Sequence, residues 1–310
     1  MEILKNCPLK DKNWFGVGGS AQYFCEPQDE NEFTQALTYA KDNRLDITFI
    51  GLGANMLISD EGIKGLVIRP QSKNIVHKIN KAKAKVTADA GVTIEELITY
   101  CLKHNLIGLE EFAAIPGTVG GSVFINIHYF KENLQTFVEN GKVIEKSTGK
   151  IFIVDRDWFQ FGYDQSKLHE RNHYLINATF KLTKASDVET AYAQGRYDEI
   201  TRHRMTRYPY KGTCGCFFRN FHEDEVSLVI NGKKMIYTSY YLDKLGIKGE
   251  LSEGGAQVSH QHANMIINTG NATATDIINL AKKIQTMMKE TYGIIPQPEC
   301  QLMGFSFYPL

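Results

Sequence analysis

Two glycine-rich segments have backbones suited to anions. Gly51-Leu52-Gly53-Ala54-Asn55 follows one apolar run, and Gly117-Thr118-Val119-Gly120-Gly121 follows Ile115-Pro116 further along. Glycine admits positive φ and lets N–H groups come close to a phosphate. One such loop reads equally well as a tight turn; two together could share the pyrophosphate of a dinucleotide. The G-x-G-x-x-G fingerprint is absent from both, so an ordinary NAD fold is not supported. A third segment, Gly212-Thr213-Cys214-Gly215-Cys216-Phe217-Phe218-Arg219-Asn220, places a thiol between glycine and aromatic residues. Cys216 is either an acid or nucleophile of lowered pKa or a small apolar side chain in a core. Glu299, after Pro298, is either a shielded general acid or a solvated edge residue, and carboxylates are mostly exposed. His260 and His262 alternate and would share one face of a strand. Neither that pair nor Cys214, Cys216 and His222 is joined by further ligands at metal-binding spacing, so no metal site is expected.

The elements that must position these groups are legible from periodicity. Apolar residues at Phe33, Ala36, Leu37 and Ala40 predict a helix over Asp29–Lys41. Ile47–Ile50 reads as a buried strand ending in the first glycine turn, and Lys64–Ile68 as its partner in a βαβ-like unit. A second helix, Thr93–His104, carries Thr93 as N-cap and Glu96 at the capping-box position. Strands are predicted at Lys85–Ala88, Lys142–Glu145, Ile151–Val154 and Tyr174–Leu182. The polar, Arg-rich stretch Ser186–Arg207 predicts a helix at a domain boundary. Short and long helices follow at Ser239–Lys244 and Thr275–Tyr292, with a strand at Met265–Asn268 between them.

The chain has 310 residues, 43% of them apolar and 23% charged, with 35 basic and 35 acidic side chains. That composition belongs to a folded protein, and the balanced charge excludes a broad electrostatic footprint for nucleic acid or an anionic membrane. No run approaches the roughly 20 apolar residues of a spanning helix, and the start lacks a secretory pattern. Six cysteines in this length suit reduced thiols rather than a disulfide framework. The expected location is the cytoplasm.

In their order along the chain, these segments resemble the UDP-N-acetylenolpyruvoylglucosamine reductase (MurB) family. The resemblance starts at Trp14-Phe15-Gly16-Val17-Gly18-Gly19. It passes through the two glycine loops, Gly108-Leu109-Glu110, Phe161-Gly162-Tyr163 and the Cys216 segment. It continues with Gly254-Gly255-Ala256 and Asn271-Ala272-Thr273-Ala274, and ends at Pro298-Glu299. It implies an α+β fold: a two-lobed FAD-binding region of the vanillyl-alcohol-oxidase (PCMH) type plus a smaller α/β substrate-binding domain. The expected bounds are 1–70 for lobe 1, 71–205 for lobe 2 and 206–310 for the substrate domain, whose last residues are allowed to return to lobe 2. It also implies FAD and NADPH as cofactors, a nucleotide-sugar substrate, UDP-N-acetylglucosamine enolpyruvate, and UDP-N-acetylmuramate as product. A monomer is expected, without nucleic-acid or membrane partners.

Residue by residue, the resemblance makes Gly51, Gly53, Ala54, Asn55, Met56, Gly117, Thr118, Gly120, Gly121 and Asn126 the FAD-binding set. Cys216 stands at the family's proton-donating serine and Glu299 at its assisting carboxylate. Tyr163, Arg219, Asn220 and His262 are expected at the substrate. Three positions depart from the pattern. Tyr163-Asp164-Gln165-Ser166 has an aspartate where the family's catalytic arginine stands. Ala54 replaces a serine in the first loop. Asn126-Ile127-His128-Tyr129-Phe130 lacks both glycines of the family's Asn-x-Gly-Ala-Tyr-Gly. Two other readings stay open on this sequence: an FAD-dependent oxidoreductase of another small molecule, and a catalytically silent flavin-binding relative.

Overall fold

Capping signals and apolar spacing carry through to the observed helices. In the computed structural model, which describes Met1–Leu310, the chain divides into two units. Unit 1 comprises Met1–Leu4, Tyr23–Leu52 and Gly65–Arg204; unit 2 comprises Lys5–Gln22, Gly53–Lys64 and Met205–Leu310. These units do not follow the consecutive segments 1–70, 71–205 and 206–310: two N-terminal pieces go with the C-terminal hundred residues.

Unit 1 contains two main cores. The first gathers around α1, Glu30–Asp42, which Asp29 caps by accepting the Glu32 N–H. Phe33, Ala36, Leu37 and Ala40 of α1 are buried against Leu66 and Ile68. Residues 66–68 pair in parallel with the strand Ile47–Phe49, Leu66 opposite Ile47. The second core lies on an antiparallel sheet in the order Ile151–Asp155, Val138–Glu145, His173–Lys184, Lys83–Asp89, Ile75–Asn80, with Leu106–Ile107 also on His173–Lys184. Ala84, Val86 and Ala88 alternate inward, where α2 (Ile94–Lys103) and α3 (Val119–Ile125) cover them. Thr93 and Glu96 form the capping box of α2. Phe112, Phe159 and Phe180 are fully buried there, each stabilising the fold by roughly 1.5–3 kcal/mol relative to exposure. The second glycine segment is not all loop: Gly120 and Gly121 lie in the first turn of α3, after Thr118 as N-cap. The Arg-rich helix α4, Asp187–Arg207, buries Ala193 and Ile200, and the unit boundary falls within its last turn.

Unit 2 is built on α5 (Thr238–Lys244) and α6 (Ala274–Tyr292) beside a three-stranded antiparallel sheet, Ser252–Glu253, Ala256–Val258 and Ile266–Asn268. On α6, Ile277, Ile278, Leu280, Ala281, Ile284 and Met288 are buried. Thr273 and Asp276 box its start, and Gly293, at φ 72°, ends it. Asp60 adds a second cap, accepting the Ala274 and Thr275 N–H groups at 2.8 and 2.9 Å. Phe15, Val17 and Leu57 complete this core, and Met56–Ile58 pairs in parallel with Gln301–Met303. Each unit thus mixes helices with sheet, and the class is α+β. No helix is long and apolar enough to cross a membrane.

Candidate active site

In unit 1 the two glycine segments touch. A Cβ built on Gly51 would meet Thr118 Oγ1 at 2.5 Å, so only glycine lets them approach this closely. The second segment is tied down from within: Val119 N–H donates to Val92 O, Gly120 N–H to Ala90 O, Gly121 N–H to Thr118 Oγ1 and Ser122 N–H to Thr118 O. Those four amides are consumed in holding the turn. What remains for a ligand is close approach and a hydroxyl, since Ser122 Oγ is buried without a hydrogen-bond partner. In unit 2, Gly53 has φ 63° and no room for a Cβ, which would lie 2.6 Å from that of Asn13. Nearby Asn55 Oδ1 is a second buried, orphaned polar atom. An unpaired buried hydroxyl is costly, and Ser122 Oγ in unit 1, a donor beside glycines that exclude side chains, fits a phosphate-bearing cofactor such as FAD. Ala54 and Met56 are half-buried.

Beyond α3 the chain turns at Asn126, which is 2% exposed and left-handed at φ 51°. Its amide donates to Gly162 O at 2.9 Å and accepts from the Gln135 N–H at 3.0 Å. The turn carrying Tyr163 and Asp164 is closed by Gly162 N–H to Gln165 O at 2.9 Å. Ser166, 1% exposed, locks it to α3 by donating to Phe124 O at 2.7 Å. Asn126 therefore acts as a scaffold for the Tyr163 turn.

In unit 2, a short antiparallel contact joins residues some eighty apart. Glu299 N–H donates to Phe217 O at 2.8 Å and Arg219 N–H to Gln297 O at 2.9 Å, around the bridge Phe218–Pro298. The backbones of Cys216 and Glu299 are thereby held within one residue of a shared hydrogen bond. Asn264, 4% exposed, secures the same turn: its carbonyl accepts from Phe217 N–H, its Oδ1 from Phe218 N–H, and its Nδ2 donates to Phe218 O. Asn264 escaped the sequence reading; a polar residue inside Ala263-Asn264-Met265-Ile266 was its only signal. All six cysteines are thiols. Cys214 is buried and hydrogen-bonded to Cys300, and burial pushes its thiol well above the ordinary value. Cys216 is half-buried, so the two neighbours differ in access. Glu299 is half-buried rather than a solvated edge residue.

Arg219 holds Glu225 in two-pronged fashion at 2.8 and 2.7 Å and also donates to Asn220 O. The guanidinium keeps the Glu225 carboxyl down at about 2. Asn220 Oδ1 accepts from Thr238 N–H at the start of α5. His260 and His262 do not share a strand face: the strand ends at Val258 and both lie in the turn before Ile266. The break follows from Ser259, whose hydroxyl accepts from Gln261 N–H and turns the backbone. His262 packs against Tyr208 with ring centroids 5.3 Å apart. Burial, aided by Arg207 and Lys248 and opposed by Asp243, lowers it to about 4. Its Nδ1 accepts the Asn264 N–H, which leaves the proton of the neutral ring on Nε2.

Residues 21–155 match the family model of an FAD binding domain, and residues 207–303 that of the C-terminal domain of UDP-N-acetylenolpyruvoylglucosamine reductase. Reductases of that name from Orientia tsutsugamushi and Lactobacillus delbrueckii are 32% and 34% identical, each over 98% of this chain. The matches span 95% and 96% of those relatives. The chain belongs to the UDP-N-acetylenolpyruvoylglucosamine reductase family. Its fold is that of the family as well: the crystal structure of the reductase (MurB) from Thermus caldophilus superposes with a TM-score of 0.76, covering 98% of both chains at 24% identity. Against the family pattern, two departures lie together in unit 1. His128, where the pattern has glycine, places Nδ1 3.3 Å from Oδ1 of Asp164, where the pattern has arginine.

Proposed function

We propose that this protein reduces UDP-N-acetylenolpyruvoylglucosamine to UDP-N-acetylmuramate, with NADPH as reductant and FAD as the bound carrier. The observation that carries the reading is the ladder placing Cys216 beside the Glu299 backbone, with Asn264 holding it. FAD, when bound, supplies hydride transfer between nicotinamide and the enolpyruvyl double bond. Addition of hydride at the methylene carbon builds negative charge on the adjacent carbon and its carboxylate, which calls for a donor and then a proton. Cys216 gives that proton from its thiol, which is more acidic than the serine hydroxyl it replaces. Glu299 assists the developing charge as a protonated acid. Arg219, preset by Glu225 on Nη1 and Nη2, offers its remaining N–H groups and its charge to the diphosphate, and Asn220, His262 and Tyr163 complete the substrate contacts. Gly51, Gly53, Ala54, Asn55, Met56, Gly117, Thr118, Gly120 and Gly121 line the flavin, with Asn126 behind them. The same reading has the protein act as a cytoplasmic monomer; light scattering should give one species near 35.1 kDa.

An anaerobic absorbance titration tests it. The oxidised flavin spectrum should bleach with NADPH and return when UDP-N-acetylenolpyruvoylglucosamine is added. Bleaching without return would move the reading to an oxidoreductase with another acceptor, which Asp164 alone favours. Cys216→Ala should still bleach but return at least about 100-fold more slowly, the scale of losing one acid catalyst. Equal slowing of both half-reactions would sink the proton-donor role.

A further inference from the structure

Asn264 uses every polar atom it has, and three of the four go to the two residues that follow Cys216. Its carbonyl accepts the Phe217 N–H at 2.8 Å, its Oδ1 accepts the Phe218 N–H at 3.1 Å, and its Nδ2 donates to Phe218 O at 2.7 Å. Its own N–H donates the other way, to His262 Nδ1 at 3.3 Å. The side-chain amide stands in for a neighbouring strand at Phe218, accepting and donating with one planar group. Phe218 is 1% exposed and Asn264 4%, so removing that amide would leave a buried N–H and a buried C=O without partners. Cys216 precedes this clamped pair. On its other side stands Gly215, left-handed at φ 83° with open space where a Cβ would lie, its N–H on Thr213 Oγ1 at 3.3 Å. Glu299 is tied on separately, by its N–H to Phe217 O and by the bond from Arg219 N–H to Gln297 O. All of these residues belong to unit 2.

We propose that Asn264 is a positioning residue for Cys216: its side-chain amide fixes the backbone from which the thiol delivers its proton. The role rests on the reductase reading above. In the step concerned, the Sγ–H bond of Cys216 breaks and a C–H bond forms at the carbon next to the substrate carboxylate, leaving a thiolate. Asn264 takes no part in the transfer. It sets where Sγ stands when the transfer happens, and a displacement of about 1 Å there costs on the order of 100-fold in rate.

The test is a cycle of four FAD-loaded proteins: wild type, Asn264→Ala, Cys216→Ala and the variant carrying both changes. Each is reduced with NADPH and reoxidised by UDP-N-acetylenolpyruvoylglucosamine in stopped flow. Asn264→Ala keeps the backbone bonds to Phe217 and His262 and removes only the two to Phe218. It should slow reoxidation about 10- to 100-fold. The affinity of the oxidised protein for UDP-N-acetylmuramate, measured by calorimetry, should stay within about 3-fold, because the loss falls on the chemical step and not on binding. In the Cys216→Ala background the same change should cost less than about 2-fold, since a side chain that acts only through the thiol has nothing left to place. Losses that multiply in the double variant, unchanged reoxidation in Asn264→Ala, or a fall in product affinity as large as the fall in rate each overturn the role. Should Asn264→Ala not fold, Asn264→Ser takes its place in the cycle, because a hydroxyl can still bond one of the two Phe218 groups. If neither folds, Asn264 serves the fold and the role is overturned. A wild type whose reduced flavin is not reoxidised by the enolpyruvyl substrate overturns the reductase reading itself, an outcome seen before any variant is compared.

Discussion

At the imidazole of His262, burial acts with Arg207 and Lys248 against Asp243. Its pKa falls from 6.5 to about 4 on folding. As pH drops below 6.5 the unfolded chain takes up a proton that the folded chain refuses, so stability declines down to about pH 4 and no further from this group. The loss is at most on the order of 3 kcal/mol. Urea midpoints of the flavin-free protein at pH 7 and pH 5 should therefore differ more in wild type than in His262→Gln. Equal differences would mean that the ring is not buried neutral. Cys214 and Cys216 show the same influence of access on thiols. Cys214 is held protonated by burial, whereas half-buried Cys216 can meet a substrate. Cys214→Ala should thus spare flavin reoxidation far more than Cys216→Ala does.

At the scale of elements, the close approach of the two glycine segments depends on a missing methyl group. Gly51→Ala would force a Cβ to 2.5 Å from Thr118 Oγ1, an overpacking cost of about 1–3 kcal/mol. FAD retention, followed by flavin fluorescence on dilution, should fall about 10-fold while the circular dichroism of the protein is kept. Unchanged retention would show that the segments can part without consequence for the cofactor. Helix α6 depends on a residue far away in sequence, since Asp60 accepts two of its first amides and the Thr275 hydroxyl. Asp60→Ala should cost about 1–2 kcal/mol in urea unfolding. A change below about 0.3 kcal/mol would assign the cap to Thr273 and Asp276 alone.

At the scale of the whole molecule, unit 2 is assembled from three separate pieces of chain. Phe15, Val17 and Leu57, each no more than 1% exposed, belong to its core, and Gln301–Met303 pairs with Met56–Ile58. A fragment starting at Met205 lacks those three side chains and the strand Met56–Ile58 with which Gln301–Met303 pairs. Each missing large side chain costs about 2–5 kcal/mol, and three together consume the usual 5–15 kcal/mol of a domain. The fragment 205–310 should therefore lack dispersed amide resonances in an NMR spectrum. A dispersed, cooperatively melting fragment would show that residues 205–310 form a domain alone.

The amino-acid sequence by itself determined what short-range rules govern. Apolar spacing, with Thr93 as N-cap, set α1, α2 and α6 to within a residue or two, and motif order identified the family. Periodicity was less informative where glycine and short turns take over: α3 hid inside a glycine segment, and His260 and His262 looked like strand neighbours although Ser259 bends the chain. Only the tertiary structure decided which residues meet. It set Cys216 beside the Glu299 backbone, put Asn264 behind both, turned Arg219 onto Glu225, and brought His128 to Asp164. The reason is physical. A cap or an apolar stripe is satisfied within one or two turns, whereas these meetings arise from packing of segments tens to hundreds of residues apart, whose closure no local pattern records.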